Sequence, residues 1–216
     1  MLNVNAFSLF KKGILVSPEV ADRILYTGVP TKLVEADKAM ATAVNARDWA
    51  AAKRSFDLAV ALEPRWFLAY FRLGFVANEL GNIKEAEKLY WKTLELEPSW
   101  APAYYNLGRD RKQEGHYKEA IVLFEKSLEL DPDDPDAFIS LALCHSAMGD
   151  QPSEDRIYLH VIDTWPNLSI AHINYAINKR IEGKRSLARQ HFERVLSIEA
   201  SNSALYKKAL QELKDC

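Results

Sequence analysis

The chain has 216 residues, 48% of them hydrophobic, with 28 basic against 30 acidic side chains and a net charge of −2. This is the composition of an ordinary folded chain, and the mixed signs leave no basic stripe, which excludes nucleic acid as a partner. Cys144 and Cys216 are too few for a disulfide framework, no stretch is long and apolar enough to span a bilayer, and Lys11 and Lys12 interrupt the only candidate signal core, so a cytoplasmic protein is expected.

Residues 1–32 form an N-terminal segment. Ser17-Pro18 can open a helix and Gly28 and Pro30 can close it, with Val20, Ile24 and Leu25 as its apolar side. Ahead of it lies an apolar patch of Phe7, Leu9, Phe10, Ile14, Leu15 and Val16. The segment reads as a cap on the first helix pair, or as a docking segment for a partner or another copy. Its two lysines beside two phenylalanines suit only weak membrane-surface contact.

Beyond residue 32 the chain repeats every 34 residues. Pro64, Pro98, Pro132 and Pro166 keep that interval, as do Ala52, Ala86, Ala120 and Ala188, and Phe56, Tyr90, Phe124, Tyr158 and Phe192. Leu73-Gly74 recurs as Leu107-Gly108, Leu141-Ala142 and Tyr175-Ala176. The rows are 33–66, 67–100, 101–134, 135–168 and 169–200, with 201–216 after them. Within row 101–134 an apolar helical run holding Tyr104 and Leu107 breaks at Gly115; a second run holds Tyr117, Ala120, Ile121, Phe124, Leu128 and Leu130, and Pro132 closes it. Each row is therefore a helix–turn–helix unit that must stack on its neighbours to hide its apolar face, giving one elongated domain. Gly74 and Ala86, and Gly108 and Ala120, are placed where paired helices come closest, with Tyr90 and Phe124 filling the space between one pair and the next.

Tyr104, Leu107, Gly108, Ala120, Phe124 and Pro132 resemble the tetratricopeptide repeat pattern in order and spacing, and Tyr70, Leu73, Gly74, Gly81, Ala86, Tyr90 and Pro98 match it almost as well. The resemblance covers about residues 33–200 and implies an all-α, right-handed α-solenoid of stacked helix–turn–helix pairs with terminal capping helices. Several rows depart from the pattern. The first carries Ala36, Ala39 and Met40 where an aromatic, Leu and Gly belong, so its first helix is atypical. The fourth has Glu154 in the alanine column. With Pro152 opening the helix, Glu154 is expected in the first turn, facing water; were it buried, replacement by alanine would be expected to stabilise. The fifth row ends on Ala200 instead of proline, so its last helix is expected to run on. In 201–216, Leu205, Ala209 and Leu213, joined by Tyr206 and Leu210, form the dry side of a capping helix.

In this family the first helix of each pair lines a concave wall. Carried over by position, the groove residues are Leu68, Phe71, Arg72, Phe75 and Asn78, then Tyr105, Asn106, Arg109, Lys112 and Gln113. The later rows add Ile139, Ser140, Leu143 and Ser146, then Ile173, Asn174, Ile177 and Arg180. Phe71, Phe75, Leu143, Ile173 and Ile177 would suit an apolar or amphipathic peptide if accessible. The family's grip on a C-terminal carboxylate would fall on Asp37, Ala41, Arg72, Pro102 and Asn106, or one row on, Phe71, Phe75, Asn106, Asp136 and Ser140. Neither set holds paired lysines, so that clamp is expected to be absent.

No catalytic chemistry is legible. None of His116, His145, His160, His172 and His191 pairs with another or with a cysteine at metal-ligand spacing, and no phosphate loop or nucleophile motif occurs. The Asp131–Asp136 run surrounds two prolines at a row junction, with Asp134 as a helix cap before Pro135. Trp66 and Trp100 read as packing between rows, and Cys144 as a small buried hydrophobe. No cofactor or metal is expected. The function expected is a non-catalytic scaffold that binds a protein or peptide, with a self-assembling scaffold or homo-oligomer, or a regulatory or co-chaperone subunit of an enzyme complex, as alternatives.

Overall fold

The computed structural model describes Thr42 and residues 48–214. The expectations for residues 1–32, for the first helix of row 33–66 with Asp37 and Ala41, and for Cys216 lie outside the described residues. Among those described, all regular structure is helical. The chain divides after Asp134 into two compact units, each built of the helix pairs expected from the repeat.

The first unit holds α1 (Trp49–Leu62), α2 (Phe67–Glu79), α3 (Ile83–Leu96), α4 (Ala101–Gln113) and α5 (Tyr117–Leu130). The helices α1, α3 and α5 each bury positions i, i+4 and i+7, namely Ala52, Phe56 and Ala59; Ala86, Tyr90 and Thr93; and Ala120, Phe124 and Ser127. That is one dry stripe on an otherwise wet helix. α2 packs on α3 and α4 on α5, and α3 also meets α4.

The pairs close over glycine. A Cβ built on Gly74 would lie 2.6 Å from the Tyr90 ring, and one on Gly108 would lie 2.9 Å from the Phe124 ring. Tyr90 and Phe124 therefore seal their own pairs, and Tyr90 shares its core cluster with Ala103 and Leu107 of α4. Trp100, the residue that opens α4, is 2% exposed and meets Phe67 and Phe71 of α2 at ring-centroid distances of 4.9 and 5.7 Å. The turn inside each pair is also set by glycine. Gly81 and Gly115 take φ of 79° and 81°, and the next amide reaches back to close the helix, Asn82 N to Ala77 O at 2.8 Å and His116 N to Arg111 O at 2.9 Å.

The second unit holds α6 (Pro135–Ala147), α7 (Gln151–Thr164), α8 (Ser169–Ile181), α9 (Arg185–Ile198) and α10 (Ala204–Leu213). α6 pairs with α7 and α8 with α9, and α10 packs on both α8 and α9. The close-approach columns now carry Ala142 with Tyr158 and Ala176 with Phe192, all four fully buried. The last helix of the fifth row does not run on: Glu199 turns to extended backbone and Ser203 caps α10 by accepting from Tyr206 N at 3.0 Å. Ala209 is buried with Leu205 and Leu213 packed against the core, but Leu210 stays 45% exposed, because three turns of helix turn only one stripe inward.

Glu154 corrects the expectation of a carboxylate facing water. It is 2% exposed and accepts a hydrogen bond from Asn178 Nδ2 on α8. Burial raises its pKa, with Asn178, Ser146 and Lys179 opposing the rise. Beside it, the side chain of Lys179 is wholly buried, ion-paired with Asp155 on α7 and Glu182 at the end of α8. In the first unit Arg111 on α4 pairs with Glu87 on α3 and with Glu114 at 2.6 Å, and also reaches Glu119 on α5 at 3.1 Å, a third partner that Lys179 lacks among the described residues. Glu87, Arg111 and Glu114 lie two repeat lengths before Asp155, Lys179 and Glu182, so the same cation-between-two-carboxylates arrangement recurs. The intervening row has Ile121, His145 and Met148 in those columns, with no carboxylate to offer.

The packing sets three expectations for stability, each read from thermal or urea melts. Gly74→Ala gains about 1 kcal/mol of helix propensity but crowds the Tyr90 ring, for a net loss of about 1–2 kcal/mol; Gly108→Ala loses less. Lys179→Met removes a wholly buried cation and leaves two partly exposed carboxylates facing each other, at a cost of about 2 kcal/mol, whereas Arg111→Met, where the cation itself is partly exposed, costs under about 1 kcal/mol. Glu154→Ala destabilises by about 1–2 kcal/mol, since it strands the Asn178 amide.

Candidate functional site

The first helices of the pairs carry the predicted groove residues, and the structure sorts them. Leu68 and Phe71 on α2, Asn106 on α4, Ile139 and Ser140 on α6 and Ile173 on α8 are buried. These six are packing residues, a correction to their placement on an open wall. Phe71 sits between Tyr90 and Trp100, with ring centroids 5.8 and 5.7 Å away. Asn106 spends its amide on its own helix, donating to Pro102 O at 2.9 Å. The helices lie so close that an apolar residue two or three positions from the pair contact is still covered.

The half-buried remainder of the first unit is Arg72, Phe75 and Asn78 on α2 and Tyr105, Arg109 and Lys112 on α4, with Gln113 exposed at the helix end. Asn78 Nδ2 donates to Asp110 Oδ1 at 2.5 Å, which ties α2 to α4 directly, first helix to first helix. Asp110 is 2% exposed. Burial raises its pKa, with Asn78 and then Arg109 holding the rise in check. Phe75 meets Trp49 of α1 edge-on, ring centroids 6.1 Å apart, and Tyr105 leans on Phe124 at 5.7 Å. The result is a face with two half-exposed aromatic rings and three cationic side chains over a buried amide–carboxylate bond.

In the second unit Leu143, Ser146 and Asn174 are half-buried. Ile177 packs against the cluster that also takes Leu205 and Leu213 of α10, and Arg180 pairs with Glu212 of α10 at 3.0 Å. The C-terminal helix therefore covers the part of α8 that was expected to face a ligand, because an uncapped last pair would leave that side wet.

Of the carboxylate-clamp sets, the first lies partly outside the described residues. Of its described members Pro102 and Asn106 are buried and Arg72 is half-buried; Phe71 and Ser140 of the second are buried too. Sequence reasoning missed Asp110, Lys179 and the contact of His172 with His191, whose Nδ1 atoms lie 2.9 Å apart. Comparing charges column by column would have found Arg111 and Lys179; nothing in the 19-residue spacing marks the histidines. Among the described residues no group of three or more His, Cys, Asp or Glu side chains is placed to hold a metal ion, and no helix is long and apolar enough to cross a membrane.

The tetratricopeptide repeat description matches residues 42–99, 101–134 and 123–154, together more than half of the chain. No curated protein matches the sequence. Among solved structures, MamA 41-end from Desulfovibrio magneticus RS-1 is 19% identical with a TM-score of 0.70, over 81% of this chain and 99% of that one. Pseudomonas aeruginosa PilF is 17% identical with a TM-score of 0.72 over 86% of each chain. YrrB, described as a TPR protein with an unusual peptide-binding site, is 21% identical with a TM-score of 0.59, over 74% of this chain and 84% of that one. At these identities the likeness is one of fold. The recurring columns, the helix pairs they build and the matched residues make this chain a member of the tetratricopeptide repeat family.

Proposed function

We propose that the protein is a non-catalytic interaction scaffold that binds an apolar or amphipathic polypeptide segment on the α2–α4 face of its first unit. The observation that carries this reading is the pairing of half-exposed Phe75 and Tyr105 with Arg72, Arg109 and Lys112 on helices joined by the Asn78–Asp110 bond. Aromatic rings bury large apolar area with little side-chain freedom to lose, and arginines add directional bonds to carboxylate or carbonyl oxygens. A ligand segment with an apolar anchor and an acidic flank meets both needs. YrrB's description as a peptide-binding TPR protein supports the reading by analogy of fold. The second unit contributes less than its sequence promised, since α10 already covers Ile177 and Arg180. The buried Cys144, which forms no disulfide, suits a reducing compartment, in keeping with a cytoplasmic scaffold.

Placing a photo-crosslinking amino acid at position 75 or 105 should trap the partner, while the same probe at the exposed position 122 on α5 should not. With the trapped partner identified, Phe75→Asp should weaken its binding at least about tenfold, as expected for loss of an interface anchor, and Val122→Asp should leave it unchanged. Equal trapping at all three positions, or full affinity in Phe75→Asp, would move the site off this face.

A further inference from the structure

Away from that face, α8 and α9 bring together two imidazoles 19 positions apart in sequence, with His172 Nδ1 and His191 Nδ1 separated by 2.9 Å. The ring centroids are 5.2 Å apart, so the rings meet edge to edge with these nitrogens aimed at each other. On its other side His172 Nε2 lies 3.1 Å from the Pro166 carbonyl oxygen. A carbonyl oxygen only accepts, so His172 carries its hydrogen on Nε2, and its bare Nδ1 accepts from His191 Nδ1–H. The bond thus needs both rings neutral and in one tautomer each. Tyr175 closes the cluster, its ring edge-on to His191 at 5.0 Å.

The buried and half-buried carboxylates of the surrounding helices are engaged elsewhere, and Asp163 on α7 and Glu193 on α9 are exposed. On α7, Glu154 accepts from Asn178 and Asp155 pairs with Lys179; just past α8, Glu182 also holds Lys179; on α10, Glu212 pairs with Arg180. Of the charges on α9, Arg194, whose guanidinium bonds Asn167 Oδ1 at 2.8 Å, repels a protonated His172. A proton on His172 Nδ1 would set two N–H groups head to head, and one on His191 Nε2 would leave a half-buried cation without a counter-ion.

We infer that the His172–His191 bond is an acid-released latch: it fastens α8 to α9 while both rings are neutral and lets go when the pair takes up a proton. Burial, chiefly, lowers both imidazoles, His191 to about 4 with His172 adding to the effect. An unfolded histidine takes up its proton near pH ~6.5. The latch's contribution is therefore complete above about pH 6.5 and is lost as pH falls from there to about 4. Release would loosen the helix that carries Asn174 and Ile177; any effect on ligand binding rests on the proposed peptide-binding function, but the latch does not and is tested without ligand.

The test uses the full chain in two arms. Imidazole NMR titration should show His191 taking up its proton only near pH about 4 and His172 below its ordinary value, with the Nδ1–H of His191 slow to exchange. In thermal melts between about pH 7 and 4.5, wild type should lose about 5 °C more than His191→Asn, whose amide can still donate to His172 Nδ1 but takes up no proton. Titration of both rings near pH ~6.5, or the same pH slope in wild type and variant, would overturn the latch. The titration arm needs no variant, so a poorly folded His191→Asn leaves the inference testable.

Discussion

Everything in the two units rests on how closely paired helices approach. Tyr90 lies over Gly74 and Phe124 over Gly108 at distances that leave no room for a methyl group. A glycine in mid-helix is a liability in isolation, by about 1 kcal/mol against alanine. Here it permits the burial of a whole aromatic ring, worth about 1.5–3 kcal/mol, so the packing term wins. The same choice explains the left-handed glycine at each intrapair turn, since a tight reversal is what brings the two helices into register.

Once the pairs are closed, their stacking is decided by a second, polar interaction. In each unit a cation from a first helix sits between a carboxylate of the preceding second helix and one at its own C-terminal end. Charge at a helix C-terminus is favourable for a cation, and the bridge to the preceding pair fixes the sliding freedom that apolar contact alone would leave. The burial differs sharply: Lys179 is dry, whereas Arg111 remains partly in water. The two units therefore use one geometry at different energetic stakes. Asn178, bonded to buried Glu154, extends the dry network of the second unit, and the neutral histidine pair lies on the opposite flank of the same helix.

This arrangement also explains where a half-exposed face survives. α2 and α4 are held side by side by the Asn78–Asp110 bond, and their outward residues mix rings with cations. α8 has the matching positions, but α10 roofs them. A repeat protein cannot both cap its end and keep that end's wall open.

The sequence by itself determined the helical-repeat class, the pair turns, the glycine and alanine contacts and the C-terminal capping helix, because these depend on residue type at a fixed period. Leu205, Ala209 and Leu213 announced a dry stripe, and Gly74 a close approach, without any knowledge of neighbours. Only the tertiary structure decided which apolar residues of the first helices remain open, since burial depends on how near the next helix lies; Phe71 and Phe75, one turn apart, have different fates. It alone placed Glu154 indoors, because the donor that makes this tolerable, Asn178, comes from another helix. And it alone joined His172 to His191, since two rings on separate helices meet through the rotation of those helices about their axes, which no spacing along the chain records.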